Sequence, residues 1–345
     1  MKNVFTTTIL ATILGAGLAA GVAGAAHAAN ENVRISIGSY NLNNLPFPLA
    51  LGLGYFKDEG LNVTSQNFAK GGSSTLQALI AGSTDIAVGF YDHTIQMQAK
   101  GKHIVAVVLQ ANNSGLVLAG LNDTRFDPAK PETIKGMKVG ITSPGSSSDF
   151  FLQYYLTRHG MTKNDVSVIG VGSGQTAVEA LMHHQIDLLV NYDPAATILQ
   201  DSGKAKILID ARTPEGATSV FGSQYPTSVL YATDSYIKAH PEVVQKVVNA
   251  EVKALHYIHT HNASEIVAQL PKSFVSGNHA TYVAAVAHAK GIFSPDGMFD
   301  PKDLETPLKV LKAFNQSVQA HNVDLTQTYT NTFAKKAGEK LAETK

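Results

Sequence analysis

The sequence predicts an α/β fold of two similarly built lobes followed by a helical C-terminal segment, and three observations carry that expectation. Short β-branched runs alternate with segments of helical period over the first two thirds of the chain, the pattern of mostly parallel sheets joined by crossover helices. A loop, helix and strand unit occurs twice. Gly71-Gly72-Ser73-Ser74-Thr75, then Asp85-Ile86-Ala87-Val88 and Tyr91-Asp92, is echoed by Gly172-Ser173-Gly174-Gln175-Thr176, then Asp187-Leu188-Leu189-Val190 and Tyr192-Asp193. After Leu230 the strand-like runs give way to Ala- and Val-rich helical segments.

The strands expected, in order, are Val33 to Gly38, Val63 to Asn67, Ile86 to Gly89, Ile104 to Leu109, Lys138 to Ile141, Val166 to Val171, Ile186 to Val190 and Lys206 to Ile209. Each is a short apolar run rich in Val and Ile and bounded by turn residues. Between them, Pro48 to Leu53, Ser74 to Ala81, Ser147 to His159 and Thr176 to His184 read as helices opened by Gly, Ser or Pro. Pro241 to His259 is the strongest helix: Val244, Val247, Val248, Leu255 and Ile258 form one apolar stripe, and Pro241 suits a first turn. Pro271, Pro295 and Pro301 break the helices that follow.

Composition narrows the function classes. The 345 residues, 44% hydrophobic and 16% charged, suffice for two domains with their own cores. With 27 basic against 27 acidic side chains and no cluster of Lys and Arg, nucleic acid is not an expected partner. The absence of Cys removes disulfides, thiolate nucleophiles, iron–sulfur clusters and Cys-ligated zinc. Met1 to Ala29 has one early Lys, an apolar stretch and small residues ending Ala26-His27-Ala28. It reads as a secretory signal cleaved near Ala28. With no Cys to acylate, the exported chain is expected to be soluble and not a lipoprotein.

Export argues against nucleotide cofactors, and the motifs agree. Gly170-x-Gly172-x-Gly174 misses the dinucleotide-binding spacing, and no Lys follows the Ser loop in the phosphate-loop pattern. No cofactor is expected. His256, His259 and His261 with Glu265 suggest a metal, but the spacing is irregular and His is favoured at a helix end, so no metal is expected there. A nucleophilic hydrolase would need an exposed Ser with a His and an acid, and no G-x-S-x-G occurs.

The sharpest local signal is Lys138 to Ile141 followed by Thr142-Ser143-Pro144-Gly145-Ser146-Ser147-Ser148-Asp149 and a helix. Free N–H groups at such a helix start, with the hydroxyls of Ser146 and Ser147 beside Gly145, can hold an anionic or carbonyl-bearing ligand; a plain Ser cap is the alternative. Gly72, Ser73 and Ser74 form a matching loop. Tyr40, Asn41 and Asn44 follow the first strand and supply an aromatic face and amides. Phe90, Tyr91 and Asp92, Asn113, and Tyr192 with Asp193 complete the candidates, as stacking surfaces, an amide and carboxylates. Asp92 and Asp193 could instead cap the helices after them.

Gly54-Tyr55-Phe56-Lys57-Asp58-Glu59-Gly60-Leu61, Leu76-Gln77-Ala78-Leu79-Ile80-Ala81-Gly82-Ser83-Thr84-Asp85-Ile86, Lys135-Gly136-Met137-Lys138-Val139-Gly140 and Asp193-Pro194 together resemble one family. It is the group of ABC-importer solute-binding proteins for nitrate, sulfonates, taurine and thiamine-pyrimidine precursors, the NMT1/THI5-like group. The resemblance runs from about Val33 through the C-terminal helices. It implies a periplasmic binding protein type II-like fold, with two α/β lobes, a hinge and a ligand in the cleft between them. A first crossing near Leu118 to Leu121 and a return near Thr227 to Tyr231 are implied. The expected domains are then a signal peptide at 1–28, a first lobe at 29–119 and 229–345, and a second at 120–228.

By that resemblance Tyr40, Asn41, Ser73, Ser74, Tyr91, Ser146, Ser147 and Asp193 contact ligand. The chain departs from relatives in having no Trp, in Tyr192 beside the Asp-Pro pair, and in His184-Gln185 where a Gly is common. The expected role is capture of a small organic anion or aromatic compound in the periplasm, by a monomer that delivers it to a membrane permease. A secreted hydrolase or a pyrimidine-synthesis enzyme on the same fold is the alternative.

Overall fold

The computed structural model describes residues 30–68, 71–275 and 278–343. The expected signal and its cleavage point lie outside these residues. No helix among the described residues is long and apolar enough to cross a membrane.

Ten strands form two five-stranded sheets. The first holds β1 (Glu31–Ile37), β2 (Leu61–Asn67), β3 (Ile86–Phe90), β4 (Ile104–Leu109) and β10 (Ser228–Thr233) in the order β2-β1-β3-β10-β4. The second holds β5 (Val117–Leu121), β6 (Lys138–Ile141), β7 (Ser167–Gly170), β8 (Leu188–Asn191) and β9 (Ala205–Asp210) in the order β7-β6-β8-β5-β9. In each sheet the outer run is parallel, and one strand, β10 or β5, is antiparallel to both its neighbours. The two orders are the same pattern, each sheet receiving its antiparallel strand at a crossing of the chain.

The segments expected as crossings belong to strands. Leu118 to Leu121, expected as the first crossing and as the end of the first lobe, is already the body of β5, where Leu118 pairs with Val190 on one side and Ile209 on the other. The chain passes between sheets earlier, in 110–116. It returns between Asp210 and Ser228, and Thr227 to Tyr231 leads into and forms β10.

The sequence repeat has a mechanical meaning. Asp85 Oδ2 accepts the N–H of Arg34 at 2.8 Å, and Asp187 Oδ2 accepts that of Lys138 at 2.7 Å. Each acid returns its own N–H to the same residue, Arg34 O at 2.9 Å and Lys138 O at 2.8 Å. The repeated acid thus ties the start of β3 to β1 in one lobe and the start of β8 to β6 in the other, which is why both copies keep it at one spacing.

The helix Pro241–Thr260 lays its stripe on the first lobe's core, with Val244, Val247, Val248, Leu255 and Ile258 all fully buried. Burial of such side chains stabilises by roughly 1.5–3 kcal/mol each. Its other side carries Lys253 and Asn249, which with Lys340 surround the buried Glu59 at 2.7–2.8 Å. Further along, the helix Glu305–Phe314 reaches the second lobe: Val310 joins that lobe's core, and Phe314 sits 5.9 Å from Phe150.

Candidate functional site

The parallel strands of both sheets point their carboxyl ends at one another, where ligands of open α/β sheets bind. A cavity of about 20 Å³ lies between them, room for about one water-sized group with the lobes in this arrangement.

The loop after β1 forms one wall. Ser39 takes a φ of +79°, a left-handed conformation that costs a non-glycine residue about 1–3 kcal/mol and persists where the surroundings hold it. They do: Asn41 Nδ2 donates to Ser39 Oγ at 3.0 Å, and Asn44 Nδ2 donates to the Ser39 carbonyl at 3.2 Å. Beside this loop the helix Gly72–Ile80 begins, and a Cβ at Gly72 would stand 2.9 Å from the ring of His93. Glycine lets that helix start close over the imidazole. Phe90 ends β3 and His93 lies in the helix after it, both facing the cavity.

The second lobe supplies the opposite wall from Thr142, Ser146, Ser147 and Tyr192. Three hydroxyls lock this loop: Thr142 Oγ1, Ser146 Oγ and Ser148 Oγ lie 2.8–2.9 Å from one another, and Ser148 Oγ accepts the N–H of Thr142. Ser146 caps the helix Ser147–Arg158 by backbone position without a side-chain capping bond. The first N–H groups of this helix open at the wall, where a helix start favours an acceptor or anion.

Direct bonds tie the lobes together around the cavity. Ser73 Oγ and Ser143 Oγ are 2.8 Å apart, Leu42 N–H donates to the Asp193 carbonyl at 2.9 Å, and Ser147 Oγ donates to Asp92 Oδ1 at 2.9 Å. Tyr225 adds a longer bond to Asp92 Oδ2, and the Phe90 and Tyr192 rings meet edge to face at 5.4 Å.

Burial governs the ionisable groups. Asp92 and His93 are fully enclosed, 3.9 Å apart. Burial pushes the Asp92 carboxyl up and the His93 imidazole down, each outweighing the attraction of its neighbour. Both shifts favour neutral forms. Among the described residues no Lys or Arg lines the cavity.

Of the residues expected from sequence, Asn41, Asn44, Gly72, Phe90, Ser146, Ser147 and Tyr192 come together on the cavity wall. The others do not reach it. Tyr40 packs its ring 5.1 Å from Phe274 in the first lobe, and Tyr91 turns inward beside Phe299 to hydrogen-bond Thr328. Asp193 caps the helix Ala195–Asp201 through Thr197 and pairs with Arg212 at 3.3 Å, so its carboxylate is occupied within the second lobe. Asp92 sits behind the wall as the acceptor of Ser147 and Tyr225. Asn113 is buried, with its carbonyl accepting from Thr227. Gly145 donates to Asp149 and faces a separate surface groove. Ser73 bridges lobes, and Ser74 closes the first turn of its helix on Gly71. The Gly172 to Gln175 loop is absent from the cavity wall.

Ser39, His93 and Thr142 line the cavity and were not among the expected contacts. Each is the direct neighbour or near neighbour of a residue that was. His93 follows Tyr91-Asp92, and Thr142 follows the strand Lys138–Ile141 before the Ser loop.

Two α/β lobes closed over a cavity at their sheet edges define a periplasmic binding protein-like fold. A solved protein of Bordetella bronchiseptica RB50 matches it at a TM-score of 0.85, with 36% identity over 90% of this chain and 98% of that one. The periplasmic aliphatic sulphonate binding protein SsuA of Escherichia coli has the same fold at a TM-score of 0.66, 18% identical over 88% of this chain and 99% of its own. The 4-amino-5-hydroxymethyl-2-methylpyrimidine phosphate synthase of Aspergillus parasiticus is 24% identical over 224 residues, 62% of each chain. The NMT1/THI5-like family model matches residues 41–264, and the chain belongs to that family.

Proposed function

We propose that this chain is the substrate-binding component of an ABC importer. It is exported to the periplasm after cleavage near Ala28, works as a monomer, and takes up a small ligand between two hinged lobes for delivery to a membrane permease. The observation that carries this reading is the set of cross-lobe bonds, Ser147 to Asp92, Ser73 to Ser143 and Leu42 to Asp193, placed around one small cavity. Such bonds form only when the lobes meet, so a ligand touching both walls favours the closed arrangement.

The chemistry of the cavity wall suits a compact, weakly charged ligand, for which the lobes would part slightly. Hydroxyls and amides of Ser39, Asn41, Asn44, Thr142, Ser146 and Ser147 offer hydrogen bonds, and the paired rings of Phe90 and Tyr192 offer an apolar face. Without a lining cation, charge is balanced by the helix start at Ser147, which suits a monoanion such as a sulfonate, carboxylate or nitrate, or a heteroaromatic compound.

The enzyme alternative draws on the Aspergillus relative. Against a hydrolase of the Ser-His-acid type stands one contact: Ser147 donates to the carboxyl of Asp92 and not to an imidazole. A thermal-shift panel of sulfonates, carboxylates, nitrate, pyrimidines and flavin-like compounds tests the reading. At a hundred times Kd a true ligand stabilises by about 2.7 kcal/mol, a clear rise in melting temperature with no product formed. Consumption of a panel compound, or no rise with any of them, refutes it.

A further inference from the structure

Behind the cavity a row of buried polar groups crosses the first lobe from β10 to the helix Pro241–Thr260. Gln110, Ser228 and Glu251 are fully buried and Asn44 almost so. The amide of Gln110 lies 2.7 Å from Glu251 Oε2 at one end and 2.7 Å from Ser228 Oγ at the other. Ser228 Oγ is also 2.8 Å from Asn44 Oδ1, and Asn44 Nδ2 donates to the Ser39 carbonyl at 3.2 Å.

Counting protons decides how the row is wired. If Gln110 donates to Glu251, its oxygen faces Ser228, whose one proton is then claimed by two acceptors, Gln110 Oε1 and Asn44 Oδ1. Turning the Asn44 amide would set oxygen against the Ser39 carbonyl. A half-turn of the Gln110 amide exchanges its N and O without moving a neighbour. It then donates to Ser228, Ser228 donates to Asn44 Oδ1, and Asn44 donates to Ser39. Gln110 Oε1 now faces Glu251 Oε2, and that contact requires a proton on the acid. Glu251 Oε1 has no partner among the described residues, a far smaller cost for a neutral acid than for a carboxylate.

We infer that Glu251 is a neutral carboxylic acid heading a one-way hydrogen-bond chain through Gln110 and Ser228, which makes it a positioning residue for Asn44. The chain holds the Asn44 amide with its nitrogen at the cavity side, where its second N–H is left for a ligand acceptor. This deepens the binding-protein reading by assigning an acceptor atom to the ligand at that point, and it rests on that reading only for the ligand itself.

Burial pushes the Glu251 carboxyl up to about 8, against the Gln110 hydrogen bond. No charged group around it contributes. On its own helix Lys246 pairs with Glu31 and Lys253 with Glu59, while His259 bonds the Ser294 carbonyl. Of the packed elements, β4 and the helix Pro46–Gly52 carry no titratable side chain. Lys340 of the C-terminal helix goes to Glu59, Lys238 to Asp234, and Glu265 caps its own helix. Lys57, Asp58, Lys335, Lys336 and Glu339 lie on these elements without acting on Glu251, as does Asp296 in the nearby loop.

The test needs no ligand. Infrared difference spectra of wild type against Glu251→Gln should show the carbonyl band of a neutral acid at pH 7, lost with a midpoint near pH 8. The side-chain amide resonances of Asn44, assigned with Asn44→Asp, should follow the same midpoint in wild type. In Glu251→Gln, whose amide can donate to Gln110 Oε1, they should keep the wild-type position at all pH values; in Glu251→Met they should shift already at pH 7. Absence of the acid band at pH 7, or Asn44 resonances unmoved through the titration, overturns the inference. A failed ligand panel leaves these readouts intact, so the two failures are distinguishable.

Discussion

Replacing Ser147 by Ala probes the link between closure and binding most directly. In the closed arrangement Ser147 Oγ donates at 2.9 Å to Asp92, which is fully buried. The substitution leaves Oδ1 of that carboxyl without a hydroxyl donor, with Tyr225 on the other oxygen at 3.3 Å. Such a loss costs about 1–3 kcal/mol, and with the lobes apart both groups face water and lose nothing. The closed population and the ligand affinity should therefore fall together by a factor of about 5 to 150. The chain has no Cys, so Lys57→Cys and Lys204→Cys, on exposed residues of the two lobes, accept a dye pair cleanly. Energy transfer then reports closure, and titration with the ligand found by thermal shift reports affinity. A closed population and a Kd both within twofold of the parent would refute the reasoning.

Gly89→Ala places a Cβ 2.3 Å from the hydroxyl of buried Tyr231; overpacking of roughly 1–3 kcal/mol should lower the melting temperature by several degrees. Adding Tyr231→Phe removes the closest atom and should restore part of it, as calorimetry would show. Burial opposes ionisation of Glu59, but hydrogen bonds from Lys253, Lys340 and Asn249 outweigh it and hold the carboxyl below its usual range. Its folded-state value is depressed, so its contribution is present above the unfolded value of about 4.3 and lost as pH falls through the folded one. Melting temperatures of wild type and Glu59→Gln should differ at pH 7 and converge below pH 4 in a pH series.

The α/β class and eight strands were legible because short Val- and Ile-rich runs alternate with helical stripes. The two strands not foreseen, β5 and β10, are the antiparallel ones. Their partners lie far along the chain, as Val117 with Asp210 or Val229 with Gly89, and no local periodicity names a remote partner. In the site, the Gly and Ser loops were readable from composition, but the facing of single residues was not. Phe90 ends β3, whereas Tyr91 already has helical backbone angles at the turn into the next helix, so the two adjacent rings leave the chain in different directions. Phe90 meets the cavity and Tyr91 the core. Asp92 and Asp193 are equivalent in the repeat and diverge in role, because only Asp193 has an Arg212 and a Thr197 in its own lobe to engage it.

How a weakly charged cavity can drive closure follows from its unpaired atoms. Asn41 Oδ1 and His93 Nε2 are buried at residues lining the wall and have no hydrogen-bond partner among the described residues. With the lobes apart, water reaches them; with the lobes together, the partner has to come from the ligand. Each such group left unsatisfied costs about 1–3 kcal/mol, so two of them penalise closure without ligand by roughly 2–6 kcal/mol. Reversing a 99:1 open preference takes about 5.5 kcal/mol, within reach of a ligand that satisfies both atoms and also accepts from Asn44. On the proposed reading, discrimination comes from hydrogen-bond polarity and not from net charge: a molecule that satisfies Asn41 and Asn44 on the first lobe's wall and also bonds the Ser146 and Ser147 wall favours closure.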